Sequence, residues 1–381
     1  MKRFLITACL VLVTGCTAQH ARRTDVLFWN QAQREANFRA MEMQYASNVV
    51  KHGVAHSLPP GKPIAPVLDD GTTLDAYMAA HHVAGIMVLQ DGKVRLERYG
   101  LGAGAKTRWT SFSVAKSFTS TLVGAALRDG SIQSLDDKVV RYIPELAAGA
   151  YRDVTVRQLL TMTSGVRWNE DYSDPHSDVA QMYEGRRVPG EPLLVTYMAP
   201  LPREFAPGER WVYKTGETDL IGILVNRATH KTLAAYLSEK VWKPYGMASD
   251  ALWLKDDVDG TEAGGSGVSA TLGDYARLGQ FLLDGGMAGA RAVLADGWLA
   301  DATKKHADIG VSGRGYGYQW WTWDSGAFAG IGIFGQLLHV DPARHLVVVQ
   351  LAAWPVATDD TQARARGDFV RAVTRAVDAD R

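Results

Sequence analysis

The chain has 381 residues, 46% of them hydrophobic and 22% charged, with Lys+Arg and Asp+Glu both at 41. That composition belongs to a folded protein of one large domain or two lobes and excludes wholesale disorder. A formal net charge of zero leaves no basic excess or stripe for a nucleic-acid partner.

Lys2 and Arg3 precede an apolar run over residues 4–13. A bilayer-spanning helix needs about twenty residues, so this run fits the core of a secretory signal peptide instead. It ends in Val13-Thr14-Gly15-Cys16, which resembles the bacterial lipobox. Residues 1–16 are therefore expected to be a lipoprotein signal, with Cys16 carrying lipid and anchoring the protein to a membrane. Thr17, by analogy with other lipoproteins, points to the outer membrane and the periplasm. The other cysteine, Cys9, would leave with the signal. The folded body then has no Cys nucleophile, disulfide or Cys-ligated metal. No His-Glu-x-x-His sequence is present, so a zincin is not supported, and no metal or organic cofactor is implied.

Residues 24–50 read as one helix, with Phe28, Phe38, Met41 and Tyr45 at roughly helical spacing. Four prolines between 57 and 67 (Pro59, Pro60, Pro63, Pro66) mark a linker. Residues 17–66 are thus expected to form an N-terminal helix and linker, and 67–381 the main domain. Val83–Gln90 and Lys93–Tyr99 read as strands joined by Asp91-Gly92, a strong hairpin signal. A helix is expected from Ser113 to Arg128, stopped at Asp129-Gly130. The region 131–255 mixes short helices with loops, including a long polar loop at 166–192 and a helix over 217–245. Residues 263–300 begin with a glycine cluster and become helical from Leu272. Strands are expected at 316–323, 328–334, 336–340 and 346–351, with a turn at Pro342 to Arg344, then a helix over 361–378. This is not βαβ alternation. It predicts an antiparallel sheet in which early and late strands meet, covered by terminal helices, with a helical lobe inserted at about 110–255.

Only Ser113 has a lysine three places on, in Ser113-Val114-Ala115-Lys116. At i and i+3 both side chains share one helix face. A serine at a helix N-terminus also directs its own N–H toward a ligand, which is half of an oxyanion hole. The plainer alternative makes Ser113 a cap and Lys116 a solvated residue, although a cation is disfavoured in a first turn. No Gly-x-Ser-x-Gly elbow exists for Ser-His-Asp catalysis, and the histidines fall mostly in loop-like segments. Trp320, Trp321 and Trp323 read as strand packing, with pocket lining as the lesser alternative. Tyr172 lies in the polar loop, where it is either exposed or a lid over the site.

The sequence around this serine (WTSFSVAKSFTSTLVGAALRDG, 109–130) resembles the β-lactamase-like serine hydrolases. So do Ser134 to Asp137, Tyr142 to Leu146, VRQLLTMTSG (156–165), Pro207-Gly208-Glu209-Arg210-Trp211-Val212-Tyr213, AGGSGVSATLGDYARLG (263–279) and Gly335-Gln336. This superfamily includes class C β-lactamases, D-Ala-D-Ala carboxypeptidases, certain esterases and 6-aminohexanoate-dimer hydrolases. Asn37-Phe38-Arg39 and Ile333-Phe334-Gly335-Gln336 look closest to the last branch. The resemblance implies an α/β fold, a β-lactamase-like α-β-α sandwich with antiparallel sheet plus an all-α lobe. It also implies that Ser113 is acylated with Lys116 beside it, and that Tyr213 acts as base toward Ser113 and then as acid toward the leaving group. The N–H of Ile333 would complete the oxyanion hole. A serine hydroxyl needs such a base, and the Lys116 and Tyr213 titrations would be coupled.

Two departures stand out. Thr215 replaces the asparagine of the Tyr-x-Asn element. Gly330-Ile331-Gly332 stands where a lysine or histidine would hold a substrate carboxylate. Lys214-Thr215-Gly216 spells that third element literally, but it leads into a helix and not a strand, so it is rejected. The expected activity is hydrolysis of a small amide or ester. The alternatives are a penicillin-recognising enzyme, disfavoured by both departures, and a catalytically idle binding lipoprotein.

Overall fold

The computed structural model describes residues 25–256 and 260–380. The expected signal segment and Cys16 lie outside the described residues.

In chain order the strands are β1 (Ser47–Val50), β2 (Val83–Gln90), β3 (Lys93–Tyr99), β4 (Arg108–Thr110), β5 (Ala251–Leu254), β6 (Val268–Thr271), β7 (Met287–Ala288), β8 (Arg291–Ala292), β9 (Arg314–Tyr316), β10 (Trp321–Trp323), β11 (Phe328–Gly332), β12 (Gln336–Asp341) and β13 (Leu346–Ala352). The principal helices are α1 (Gln31–Asn37), α2 (Leu74–Ala80), α3 (Ala115–Arg128), α4 (Thr215–Thr229), α5 (Leu272–Leu283) and α6 (Asp360–Asp378). Among the described residues the main sheet runs β3-β2-β13-β12-β11-β10-β9, every neighbouring pair antiparallel. Early and late strands meet where β2 pairs with β13.

Residues in β2 and β13 are buried along their whole length. Both faces of these strands are covered, which is why their apolar residues run on without polar alternation. On one face α5 packs against β2, β12 and β13. On the other lie α2 and α6, where Tyr77 stacks on Phe369 with centroids 5.0 Å apart. Asp91 and Gly92 both have positive φ, the two-residue turn that matches strand twist.

A second, smaller sheet (β1-β5-β6-β4) was not foreseen. Residues 111–250 contain no strand. There α3 packs against α4, and residues 115–126 of α3 are all buried.

Three expected elements are redrawn. Residues 24–50 are not one helix but a 3-10 turn (Asp25–Phe28), α1, a second turn (Met41–Met43) and β1. Asn30 starts α1 afresh through a reciprocal cap with Gln33. Phe38, Met41 and Tyr45 are indeed buried, but on separate short pieces, and Phe28 is about half exposed at 49%. The helix over 217–245 breaks at His230, which is left-handed at φ 55, and restarts behind the Thr232 cap. The strand at 316–323 is split by Gln319 (φ 64), whose buried amide bonds the carbonyls of Leu159 and Leu160.

Candidate active site

Ser113 sits in a 3-10 turn (Phe112–Val114) immediately ahead of α3, not on the first residue of the helix proper. Its side chain and that of Lys116, one turn on, converge as the spacing requires. Lys116 Nζ donates to Ser113 Oγ at 3.0 Å, to Thr215 Oγ1 at 3.0 Å and to the Gly265 carbonyl at 2.9 Å. All three ammonium hydrogens are therefore directed, in a side chain only 1% exposed. Burial pushes the Lys116 ammonium down to about 8, against the opposing pull of Glu170 and Asp219. Desolvation outweighs attraction here because neither carboxylate touches the nitrogen.

Lys116 Nζ lies 5.0 Å from the Tyr213 ring centroid, which sets the phenol beside Ser113. Burial, and after it the Glu170 charge, push the phenol up from its ordinary value. Its ring is held by aromatic packing. Trp321 stacks on it with centroids 5.6 Å apart and planes at 20°, and Tyr316 and Trp211 meet it edge-on. The neighbouring tryptophans thus divide their work. Trp320, just ahead of β10, packs into the core against Phe328, while Trp321 on β10 fixes the phenol.

Glu170 escaped sequence reasoning. It accepts from the Thr215 N–H at 2.9 Å and the Tyr172 hydroxyl at 2.7 Å, and also from the Thr215 hydroxyl and the Trp168 indole. Thr215 therefore accepts from Lys116 and donates to Glu170 through one hydroxyl oxygen. The local signal was a polar loop with several acids. Only the tertiary fold turns one of them inward. Tyr172 lines the same cavity as Ser113, so it belongs to the site and not to an exposed loop.

Ile333 opens the turn after β11 and lines that cavity too, with Phe112. The glycines on β11 are dictated by close approach to the nucleophile's turn and helix. A Cβ on Gly330 would stand 2.9 Å from Ser117 Oγ, and one on Gly332 would stand 2.6 Å from the Ser111 carbonyl oxygen. The residues adjoining Ser113 and Ile333, namely Phe112 (φ 42) and Phe334 (φ 58), are both left-handed, a conformation that costs a bulky residue about 1–3 kcal/mol. Phe38 closes over both, with centroids 4.9 Å and 5.3 Å away. Replacing Phe38 by leucine is expected to cost about 1–2 kcal/mol of stability, read by urea unfolding, because it opens space beside both left-handed residues.

Lys214 is turned away from the site. It is fully buried, with Nζ 3.7 Å from Glu217 Oε1 and 3.4 Å from Ser164 Oγ. The literal Lys214-Thr215-Gly216 triplet is thus no substrate-binding element.

The beta-lactamase family pattern matches residues 72–372. A 6-aminohexanoate-dimer hydrolase of Paenarthrobacter ureafaciens is 32% identical over 77% of this chain and 78% of its own length. A Bacillus anthracis structure with a provisional name of the same kind superposes with a TM-score of 0.81 at 23% identity, covering 91% of this chain and 94% of that one. A penicillin-binding protein of Bacillus halodurans shares the fold at a TM-score of 0.62 and 19% identity, over 79% of this chain and 99% of that one. With this span of matched sequence and fold, the chain belongs to the beta-lactamase family, as a serine hydrolase.

Proposed function

We propose that this protein hydrolyses a small amide or ester through an acyl-Ser113 intermediate, in the manner of its 6-aminohexanoate-dimer hydrolase relative. The observation that carries the reading is the buried Lys116 amine 3.0 Å from the Ser113 hydroxyl, with the Tyr213 ring centroid 5.0 Å from that amine.

The electrostatics favour a proton order opposite to the one that the family resemblance implies. Lys116, pushed down to about 8, is about one-tenth unprotonated at pH 7, whereas Tyr213, pushed up, keeps its hydrogen. The Lys116 amine then takes the Ser113 proton as Oγ bonds to the substrate carbonyl carbon. The developing oxyanion is met by the N–H groups of Ser113 and Ile333. As the carbon–nitrogen or carbon–oxygen bond breaks, the Tyr213 phenol gives its hydrogen to the leaving atom, and the Lys116 proton replaces it. Water repeats the sequence on the ester and restores the serine.

A penicillin-recognising activity is disfavoured. Thr215 is committed to Lys116 and Glu170, and Gly330 stands where a carboxylate-binding cation is needed. We propose as well that Cys16 carries lipid at the periplasmic face of the outer membrane, a reading that rests on residues 2–17 alone.

A fluorophosphonate probe tests the central claim. It is expected to add one label per chain, on the peptide bearing Ser113. Labelling elsewhere, or none, overturns the assignment and favours an idle binding protein.

A further inference from the structure

The cavity beside Ser113 is walled in part by chain that precedes the family domain. The family match starts at residue 72, yet Val26, Leu27, Met41 and Tyr45 line this cavity. Val179 and Met182 from the polar loop region face it as well. None of the lining residues is charged. The nearby carboxylates are screened from it: the Tyr172 hydroxyl is bound to Glu170, and the Tyr183 hydroxyl to Asp219 at 2.8 Å. A charged group entering here would shed its water and find no counter-ion among the lining residues.

The cavity lies on a definite side of the nucleophile. Ser113 and Ile333 line it, but Tyr213 does not. A leaving group protonated by Tyr213 must depart on the phenol's side, so this space holds the acyl part. Its volume of about 50 Å³ gives room for about three to five water-sized groups, which suits a short chain and not a fatty acyl tail.

We propose that the segment 25–45 is a specificity element that selects a short, uncharged, apolar acyl group. The inference rests on the acyl-enzyme reading above and adds to it the substrate class. It departs from a 6-aminohexanoyl acyl group, whose terminal ammonium would sit unpaired against Val26 and Met182.

The test is a series of p-nitrophenyl esters: acetate, butyrate, hexanoate, decanoate, hemisuccinate and 6-aminohexanoate. From acetate upward, kcat/KM is expected to rise about fourfold per methylene that fits, mainly through KM, to peak at butyrate or hexanoate and to fall at decanoate. The two charged esters are expected about 100-fold or more below hexanoate. Val26→Ala should move the optimum to longer chains and Leu27→Phe to shorter ones, so the opposed pair separates pocket shape from general damage. Charged esters turned over as well as butyrate, or both variants keeping the wild-type profile, would overturn the proposal. Fluorophosphonate labelling run alongside tells the two failures apart. An unlabelled Ser113 sinks the acyl-enzyme reading and this inference together, whereas a labelled Ser113 with a flat ester profile sinks the inference alone.

Discussion

Replacing Tyr213 by phenylalanine is expected to lower kcat/KM for an amide substrate by about 10³- to 10⁴-fold, and for the p-nitrophenyl ester of the same acid by far less. The change removes one hydroxyl. The ring stays stacked on Trp321 and edge-on to Tyr316, so the fold and the Ser113–Lys116 contact should survive. The difference between substrates follows from the leaving groups. An amine departs only when protonated, whereas p-nitrophenolate leaves as an anion and needs no acid. If Tyr213 were instead the base that activates Ser113, both substrates would suffer equally, because both require the same attack. Parallel kcat/KM measurements on the matched pair therefore read the proton order directly. Equal losses would return Tyr213 to the role that the family resemblance implies.

The nucleophile was legible because its geometry is local. A serine and a lysine three residues apart meet on any helical turn, and the Asp91-Gly92 hairpin is likewise a matter of two residues with positive φ. The central strands were legible because strands covered on both faces leave unbroken apolar runs, as in β2 and β13. What escaped depends on contacts between distant segments. Glu170 differs from its acidic neighbours in the loop because the fold brings Thr215 onto it, beside its near neighbours Trp168 and Tyr172. Trp321 reads like any tryptophan of a half-buried strand until Tyr213 lies on it. The 24–50 segment carries apolar residues at nearly helical intervals, but Phe38 serves Phe112 and Phe334, while Ser47–Val50 pairs with β5. One period cannot satisfy both. Thr215 looked like a loss in the sequence, as a missing amide. In the fold its hydroxyl joins Lys116 to Glu170 by accepting and donating at one atom.

Lys116→Met should all but abolish turnover while removing one pH dependence of stability, and the two effects have a common cause. The catalytic loss is expected at about 10⁴-fold or more in kcat for esters and amides alike, since Ser113 loses the base 3.0 Å away. In the wild type, kcat/KM should climb as pH rises toward about 8, where the amine loses its proton. The stability effect runs on the same titration. The folded-state value of Lys116 lies below its unfolded value of about 10.4, so between these two pH values the unfolded chain holds a proton that the folded chain has released. Unfolding free energy must then increase with pH across that window, by a total on the order of 3 kcal/mol. Below about pH 8 the ammonium is charged in both states, and its burial is a standing cost. Methionine has no proton to lose, so the wild-type-minus-variant difference in unfolding free energy should rise from pH 8 to pH 10 and level off above it. Urea unfolding at stepped pH measures this. If the difference stays flat, Lys116 holds its proton as firmly in the fold as in water, and it cannot be the group that deprotonates Ser113 near neutrality.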